Sequence, residues 1–246
     1  MNEFYLTLPS NSSMGYFPDN TLAKFTTKLP TPVLLDDNWE VGLAEIIYPT
    51  AFYNVTSDTN IFTCDVPGLP IVNAVVPPGR YDDHASLFTA LRGARGIPEH
   101  FTFKLEFDKQ SKRVITEIEY GHHLKFEPGL ADILGYSYNS LTQVKSSAPN
   151  PMDLKATLPK ALFIYSDIVE PQVVGDSSAP LLRIVGVENE QFNNTVVHTY
   201  SPPHYVSVIR RQFETIEIDI RDDTGLRIPF QSGRVIVKLH FRQALK

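Results

Sequence analysis

His122 and His123 are the one adjacent pair among seven histidines, and a zinc site or a general base would draw on side chains of this kind. They sit in EYGHHLKF, where an extended backbone sends neighbouring side chains to opposite faces, so the two would not share one ion. His198, His204 and His240 have no partner at ligand spacing, and no His-x-His pair of the cupin kind occurs. The acidic pairs Asp36-Asp37, Asp82-Asp83 and Asp222-Asp223 all stand among turn formers. Local bonding to the backbone explains them better than acid–base work. There is no G-x-S-x-G elbow, no phosphate loop and no G-x-G-x-x-G; the GARG run at 93–96 closes a helical stretch instead of following a strand. The single cysteine, Cys64, excludes an internal disulfide and a cysteine-based zinc site, and IFTCDV is the setting of a small core or edge residue. Sequons at Asn11, Asn54 and Asn193 have no visible secretory signal ahead of them and are expected to stay unused. These residues imply no cofactor, no metal and no enzyme.

Composition points the same way. The 246 residues are 42% hydrophobic and 11% aromatic with 19 prolines, which suits a loop-rich β protein with a full core. No apolar run approaches the ~18 residues of a membrane span. A net charge of -6 disfavours a coat for nucleic acid, which needs clustered Lys and Arg. The basic groups Arg92 with Arg95, Lys109 with Lys112 and Arg113, and Arg210 with Arg211 read as solvated turns and strand faces.

The elements that must position any site are mostly strands. In FETIEIDIRDDTGLRIPFQSGRVIVKLHFR, Ile216, Ile218 and Ile220 alternate with Glu217, Asp219 and Arg221. Val235, Val237, Leu239 and Phe241 repeat the pattern against Arg234, Lys238, His240 and Arg242. Period two with one apolar face is the mark of an antiparallel sheet lying on a core. Earlier strands are expected at 24–29, closed by Pro30 and Pro32, and at 39–48, nearly all apolar and so central. Others are expected at 60–66 and 71–76, in a hairpin over 101–120, and at 161–165, 181–185 and 196–200. One helix is expected after Asp82 or Asp83, with Ala85, Leu87, Phe88 and Leu91 as its stripe and its end near Gly93. A second short turn of helix in LADILG stops at Gly135. The polar stretch 138–150 is expected as a mobile loop. About ten strands and two small helices, spaced by turns, suit an all-β sandwich or jelly roll in one domain over 1–246.

Four stretches together resemble the minor capsid protein of Polinton/Maverick elements and their adintovirus relatives. They are FYLTLPSNSSMGYFPDNTLAKFTTKLPTP, WEVGLAEIIYP, SDIVEPQVVGDSSAPLLRIV and the terminal segment quoted above. PPGRY before a short helix, and LADILGY, fit the same pattern, so the resemblance runs the length of the chain. It implies an all-β single jelly-roll β-sandwich of two antiparallel sheets, a penton protein that forms homopentamers at the five-fold vertices of an icosahedral capsid, beside a double jelly-roll major capsid protein. It implies a place in the virion, synthesis in the host cytoplasm, and capsid assembly there or in the nucleus. No Arg-Gly-Asp loop and no second domain stand out. The last two strands would lie in opposing sheets, bridged by residues 221–232. Residues 1–20 are expected to act partly as an arm on another subunit. Phe4, Tyr5, Tyr16, Phe17, Phe52, Tyr53, Tyr136 and Tyr138 are the expected interface aromatics. The competing readings are a carbohydrate-binding jelly roll, for which Trp39 is the one tryptophan on offer, and a cupin-like enzyme.

Overall fold

The computed structural model describes residues 3–36, 38–187 and 192–244. Three strands open the chain: β1 (Glu3–Pro9), β2 (Lys24–Leu34) and β3 (Trp39–Pro49). Next come β4 (Ile61–Asp65), β5 (Val72–Val75), α1 (His84–Arg92), β6 (Phe103–Asp108), β7 (Arg113–Ile118), β8 (His123–Phe126), α2 (Leu130–Leu134) and β9 (Lys145–Ser147). The chain then runs through β10 (Ala161–Ser166), β11 (Gln172–Val174), β12 (Ser177–Ala179), β13 (Leu181–Gly186) and β14 (Thr195–Thr199). It ends with β15 (Tyr205–Ser207), β16 (Gln212–Arg221) and β17 (Ile236–Gln243).

These elements divide into two compact units. Unit 1 comprises Met1–Phe52 and Pro159–Lys246; unit 2 is Tyr53–Leu158. No second unit stood out in the sequence, yet about a hundred residues between β3 and β10 build their own core.

In unit 1 one sheet has the order β1-β17-β3-β14, with β15 also on β3, and the other has the order β13-β10-β16-β2; every pairing is antiparallel. Followed along the chain, β1, β3, β14 and β17 fall in the first sheet and β2, β10, β13 and β16 in the second. This alternation, with β10 and β13 consecutive in the second sheet and the short β15 following β14 in the first, is the jelly-roll path of two interlocked Greek keys. The final pair does lie in opposing sheets, β16 in one and β17 in the other.

Between the layers, Phe25, Leu43, Ile46, Ile164, Ile218 and Leu239 are buried. The β3 strand shows why its sequence looked continuously apolar. Lys238 pairs with Glu45 and Leu239 with Leu43, so Ala44 is an extra residue on β3. The bulge reverses the phase: Val41 and Leu43 face the core before it, Ile46 and Tyr48 after it. A second irregularity lets β2 continue past its two prolines. Lys28 pairs with Thr215 and Val33 with Phe213, so Pro30 and Pro32 lie in a bulged stretch where no ladder bond is lost.

The described part of the N-terminal segment, residues 3–20, begins as an edge strand and continues in turns on the same unit. Residues 3–9 are β1, in register with β17 from Glu3 opposite Arg242 to Pro9 opposite Ile236. The turns that follow fold back on β2. The Asn20 side chain accepts from the Thr26 amide and donates to the Thr26 carbonyl, both at 2.9 Å, and so closes that sheet edge.

Unit 2 has two three-stranded antiparallel sheets, β5-β4-β8 and β6-β7-β9. The expected hairpin is β6-β7, but its second strand ends at Ile118, and β9 arises from the stretch expected as a loop. The α1 helix starts where Asp83 accepts from the Ser86 amide at 2.8 Å, and α2 ends at Gly135 in a left-handed conformation. Leu87, Leu91, Leu124, Phe126, Leu130 and Leu134 fill the core.

Candidate interaction surfaces

The outward side chains of β1, β17, β3 and β15 meet in one cluster on unit 1. The Tyr5 ring stacks on His240 at 4.3 Å, with Lys238 Nζ 5.2 Å from the centre of the Tyr5 ring. His240 Nδ1 lies 2.7 Å from the Tyr205 hydroxyl, and His240 Nε2 lies 3.2 Å from Glu3 Oε2. Arg242 pairs with Glu40 and places its guanidinium 3.5 Å from the centre of the Tyr205 ring. Register explains the gathering: Tyr5 stands opposite His240, and both His240 and Tyr205 stand opposite Gly42. Gly42 is required there because a Cβ would meet the His204 carbonyl oxygen and the Pro203 side chain at 2.7 Å.

The expected interface aromatics separate into groups. On the inner side of β1, half-buried Phe4 stacks on Phe241 at 4.8 Å and leans on Trp39. Tyr5 is 54% exposed, and Tyr16 is 67% exposed with Lys28 Nζ 4.5 Å from its ring centre. Phe17 and Tyr53 are half-buried. Phe52 and Tyr136 are buried within their own units and offer no ring to a neighbour. Phe52 packs on Phe230 at 5.3 Å. The Tyr136 hydroxyl lies 2.8 Å from Thr116 Oγ1 and 3.1 Å from the carbonyl oxygens of Val114 and Ser146, and burial pushes its pKa up. Tyr138 stays half exposed and donates to Asp132 at 2.8 Å.

Sequence reasoning passed over a surface on unit 2. The β4-β5 loop presents Leu69 and Ile71 to solvent, and Tyr120, just past the end of β7, is 89% exposed. Both loops lie at one end of the β5-β4-β8 sheet, since Asp65 pairs with His123, and a Cβ on Gly121 would touch Pro67. The hairpin expected over 101–120 included Tyr120 in its second strand, but β7 stops at Ile118, two residues earlier.

The residues with chemical capacity are placed structurally. His122 is buried against Phe101 at 5.5 Å, while His123 Nδ1 lies 2.9 Å from Asp65 Oδ2, so the pair does diverge. Among the described residues no group of three or more His, Cys, Asp or Glu is arranged to hold a metal, and no described helix is long and apolar enough to cross a membrane. Burial pushes the Cys64 thiol up to about 12, far from a reactive thiolate. The Asn54 sequon is closed to modification, because its side chain is buried and bonded to backbone on both sides. Asp37, of the first acidic pair, lies outside the described residues.

On the outer face of the second sheet of unit 1, charges alternate along β16. Lys24 meets Glu217 at 3.2 Å, Arg221 meets Asp219 at 2.7 Å, and Arg210 meets Asp167 at 3.0 Å. Burial raises Asp167 above the ordinary 3.8, against the lowering effect of the Glu217 amide it accepts from and of Arg210. A carboxyl raised on folding holds its proton more tightly in the native state. Its contribution to stability is therefore present at low pH and is lost as pH rises from about 3.8 through the raised native value. We expect urea titrations of the wild type and Asp167→Asn to diverge across that window, with the wild type losing stability relative to the variant as pH rises. Parallel curves would show that Asp167 has no raised native pKa.

The fold defines a jelly-roll protein with an inserted β-rich unit. No family model matches the chain, and no curated protein does. Among solved structures it is similar to the selenomethionine-labelled penton protein of mavirus. The two are 14% identical at a TM-score of 0.52, over 99% of this chain and 100% of that one. A chain of the Sputnik virophage, from its cryo-EM structure, is 12% identical at a TM-score of 0.46, with 99% and 98% covered. The chain thus shares a jelly-roll fold with the mavirus penton protein.

Proposed function

We propose that this chain is a structural penton protein of an icosahedral capsid, closing in homopentamers at the five-fold vertices beside a double jelly-roll major capsid protein. The observation that carries it is the likeness to the mavirus penton protein from end to end of both chains. In this role residues 1–246 act as one capsid subunit, with unit 2 carried between β3 and β10, and the work is assembly without catalysis. Its place is the virion, and its partners are other copies of itself and the major capsid protein.

A vertex subunit meets its neighbours through two different surfaces that close after five copies. Each contact needs on the order of ~800 Å² per partner. Tyr5, Tyr16 and Tyr138 keep ring surface exposed for this, with the half-buried Phe4, Phe17 and Tyr53 contributing their outer edges. A carbohydrate-binding module is less well supported, since Trp39 is buried with its indole nitrogen donating to the Asp36 carbonyl. Each copy carries a net charge of -6, and salt screens repulsion over roughly 8 Å at physiological strength. Negative-stain electron microscopy is expected to give five-fold rings at moderate salt and fewer rings as salt is lowered. Rings of another order would refute the assignment.

A further inference from the structure

The first sheet of unit 1 ends in two strands, β1 and β14, each paired on one side only. Their free sides follow from the bonds that continue each ladder. The Ser10 amide donates to the Val235 carbonyl at 2.8 Å, so alternate residues back along β1 (Leu8, Leu6 and Phe4) turn their amides and carbonyls to β17. Glu3, Tyr5 and Thr7 turn theirs away. The Thr50 amide donates to the Asn194 carbonyl at 2.9 Å and the Tyr200 amide to the Ala44 carbonyl at 2.8 Å, which turns Thr195, Val197 and Thr199 away from β3 in the same manner. Among the described residues nothing bonds to the outward backbone groups of Tyr5, Thr7, Thr195, Val197 and Thr199.

Exposed edges are usually blunted by prolines, charges, bulges or a covering group. The second sheet follows that rule. Asn20 closes β2, which also carries Pro30 and Pro32, and β13 holds an extra residue, Leu182, since Ile164 pairs with Arg183 and Tyr165 with Leu181. The first sheet does not. TVVHT in β14 has no charge, no proline and no register shift, and Val197 is 55% exposed. Between Glu3 and Pro9 the β1 strand is uncharged, and Tyr5 is 54% exposed.

Strand direction and side chains select the occupant. Neighbours in the order β1-β17-β3-β14 are all antiparallel, so β1 and β14 run in opposite senses. A second copy set beside the first in the same orientation therefore brings its β1 antiparallel to β14. With residues 3–7 laid along 195–199, Tyr5 falls opposite Val197 and Thr7 opposite Thr195 on the outer face, and Leu6 falls opposite Val196 on the core side. Aromatic–β-branched and Thr–Thr pairs are favourable across strands. Leu6 is half-buried in the single chain, unlike Leu8 two residues on, and the added strand would cover it. In a closed pair of copies, joining like edges would leave the other edge of each copy open; unlike edges meeting head to tail satisfy both.

We propose that β14 of one copy takes β1 of a second copy of this chain as an added antiparallel strand, joining their first sheets edge to edge. That the joined copies number five rests on the penton assignment; the edge pairing does not.

The test is residue-resolved amide hydrogen exchange on the assembled full-length protein and on the same protein diluted to monomer. Inward amides such as those of Leu6 and Val196 are expected to be protected in both. The outward amides of Tyr5, Thr7, Thr195, Val197 and Thr199 are expected to be protected only in the assembly. Val197→Pro and Thr7→Pro each remove an outward donor that the subunit's own ladder does not use. The fold is therefore expected to stand, with inward amides still protected, while association weakens several-fold. Outward amides that exchange in the assembly as fast as in the monomer, a protein monomeric at every concentration, or proline variants that assemble as the wild type does would overturn the proposal. Fast outward exchange within a five-membered ring would do so and leave the penton assignment standing. A dimer or an open chain with the outward amides protected would keep the edge pairing and lose the penton assignment.

Discussion

Replacing Phe241 with alanine is expected to cost about 3–5 kcal/mol of folding stability, as aromatic truncations in closed cores do. Phe241 is fully buried on β17, where its ring lies parallel to Phe4 of β1 at 4.8 Å and stacks on Phe213 of β16 at 5.9 Å. One ring therefore joins the edge strand to its own sheet and bridges the two layers of the jelly roll. Domain stabilities run to only 5–15 kcal/mol, so the loss would be a large share of the total. Phe241→Leu keeps most of the volume and is expected to cost less than about 1.5 kcal/mol. Phe4→Ala should fall between them, since that ring is half-buried. Urea unfolding at constant m-value measures all three. An alanine variant within about 1 kcal/mol of wild type would mean that the layers are not held through this ring.

Asn54→Ala is expected to remove on the order of 3 kcal/mol, acting on unit 2. The Asn54 side chain is buried, donates to the carbonyls of Tyr81 and Leu154 at 2.9 Å each, and accepts from the Tyr81 amide at 2.9 Å. Its own carbonyl accepts from the Thr157 hydroxyl at 2.7 Å. One residue thus ties the start of unit 2 to segments 27 and 100 residues further along the chain. Alanine leaves an amide and two carbonyls buried without partners, each costing about 1–3 kcal/mol before any relaxation. Asn54→Asp keeps the acceptor but turns a carboxylate toward two carbonyl oxygens, and is expected to be at least as damaging. Amide hydrogen exchange at Val55 and Tyr81 is the direct readout. Unchanged protection there would contradict the role given to Asn54.

What could be read from the sequence follows from period-two alternation. The β16 and β17 strands show it over most of their lengths, so both strands were legible, while their placement in opposing sheets came from the jelly-roll resemblance. The β3 strand hid it, because the Ala44 bulge reverses the phase and leaves apolar residues at nearly every position. The division into units was hidden for a related reason. Residues such as Phe62 and Cys64, or Leu124 and Phe126, alternate in unit 2 as the jelly-roll strands do, and no linker composition marks Tyr53 or Leu158.

Aromatics were a poor guide to surfaces taken singly. A ring in a loop predicts exposure only when nothing folds over it, which is so for Tyr16 and not for Tyr136. The segment expected to serve partly as an arm begins with a strand, β1, whose partner lies more than 220 residues away, a pairing no local pattern reports.

The most direct measurement of the penton assignment is the mass of the purified native protein by light scattering at moderate salt. A homopentamer gives a single species of five times the 27.7 kDa chain mass. A stable dimer or trimer would contradict it.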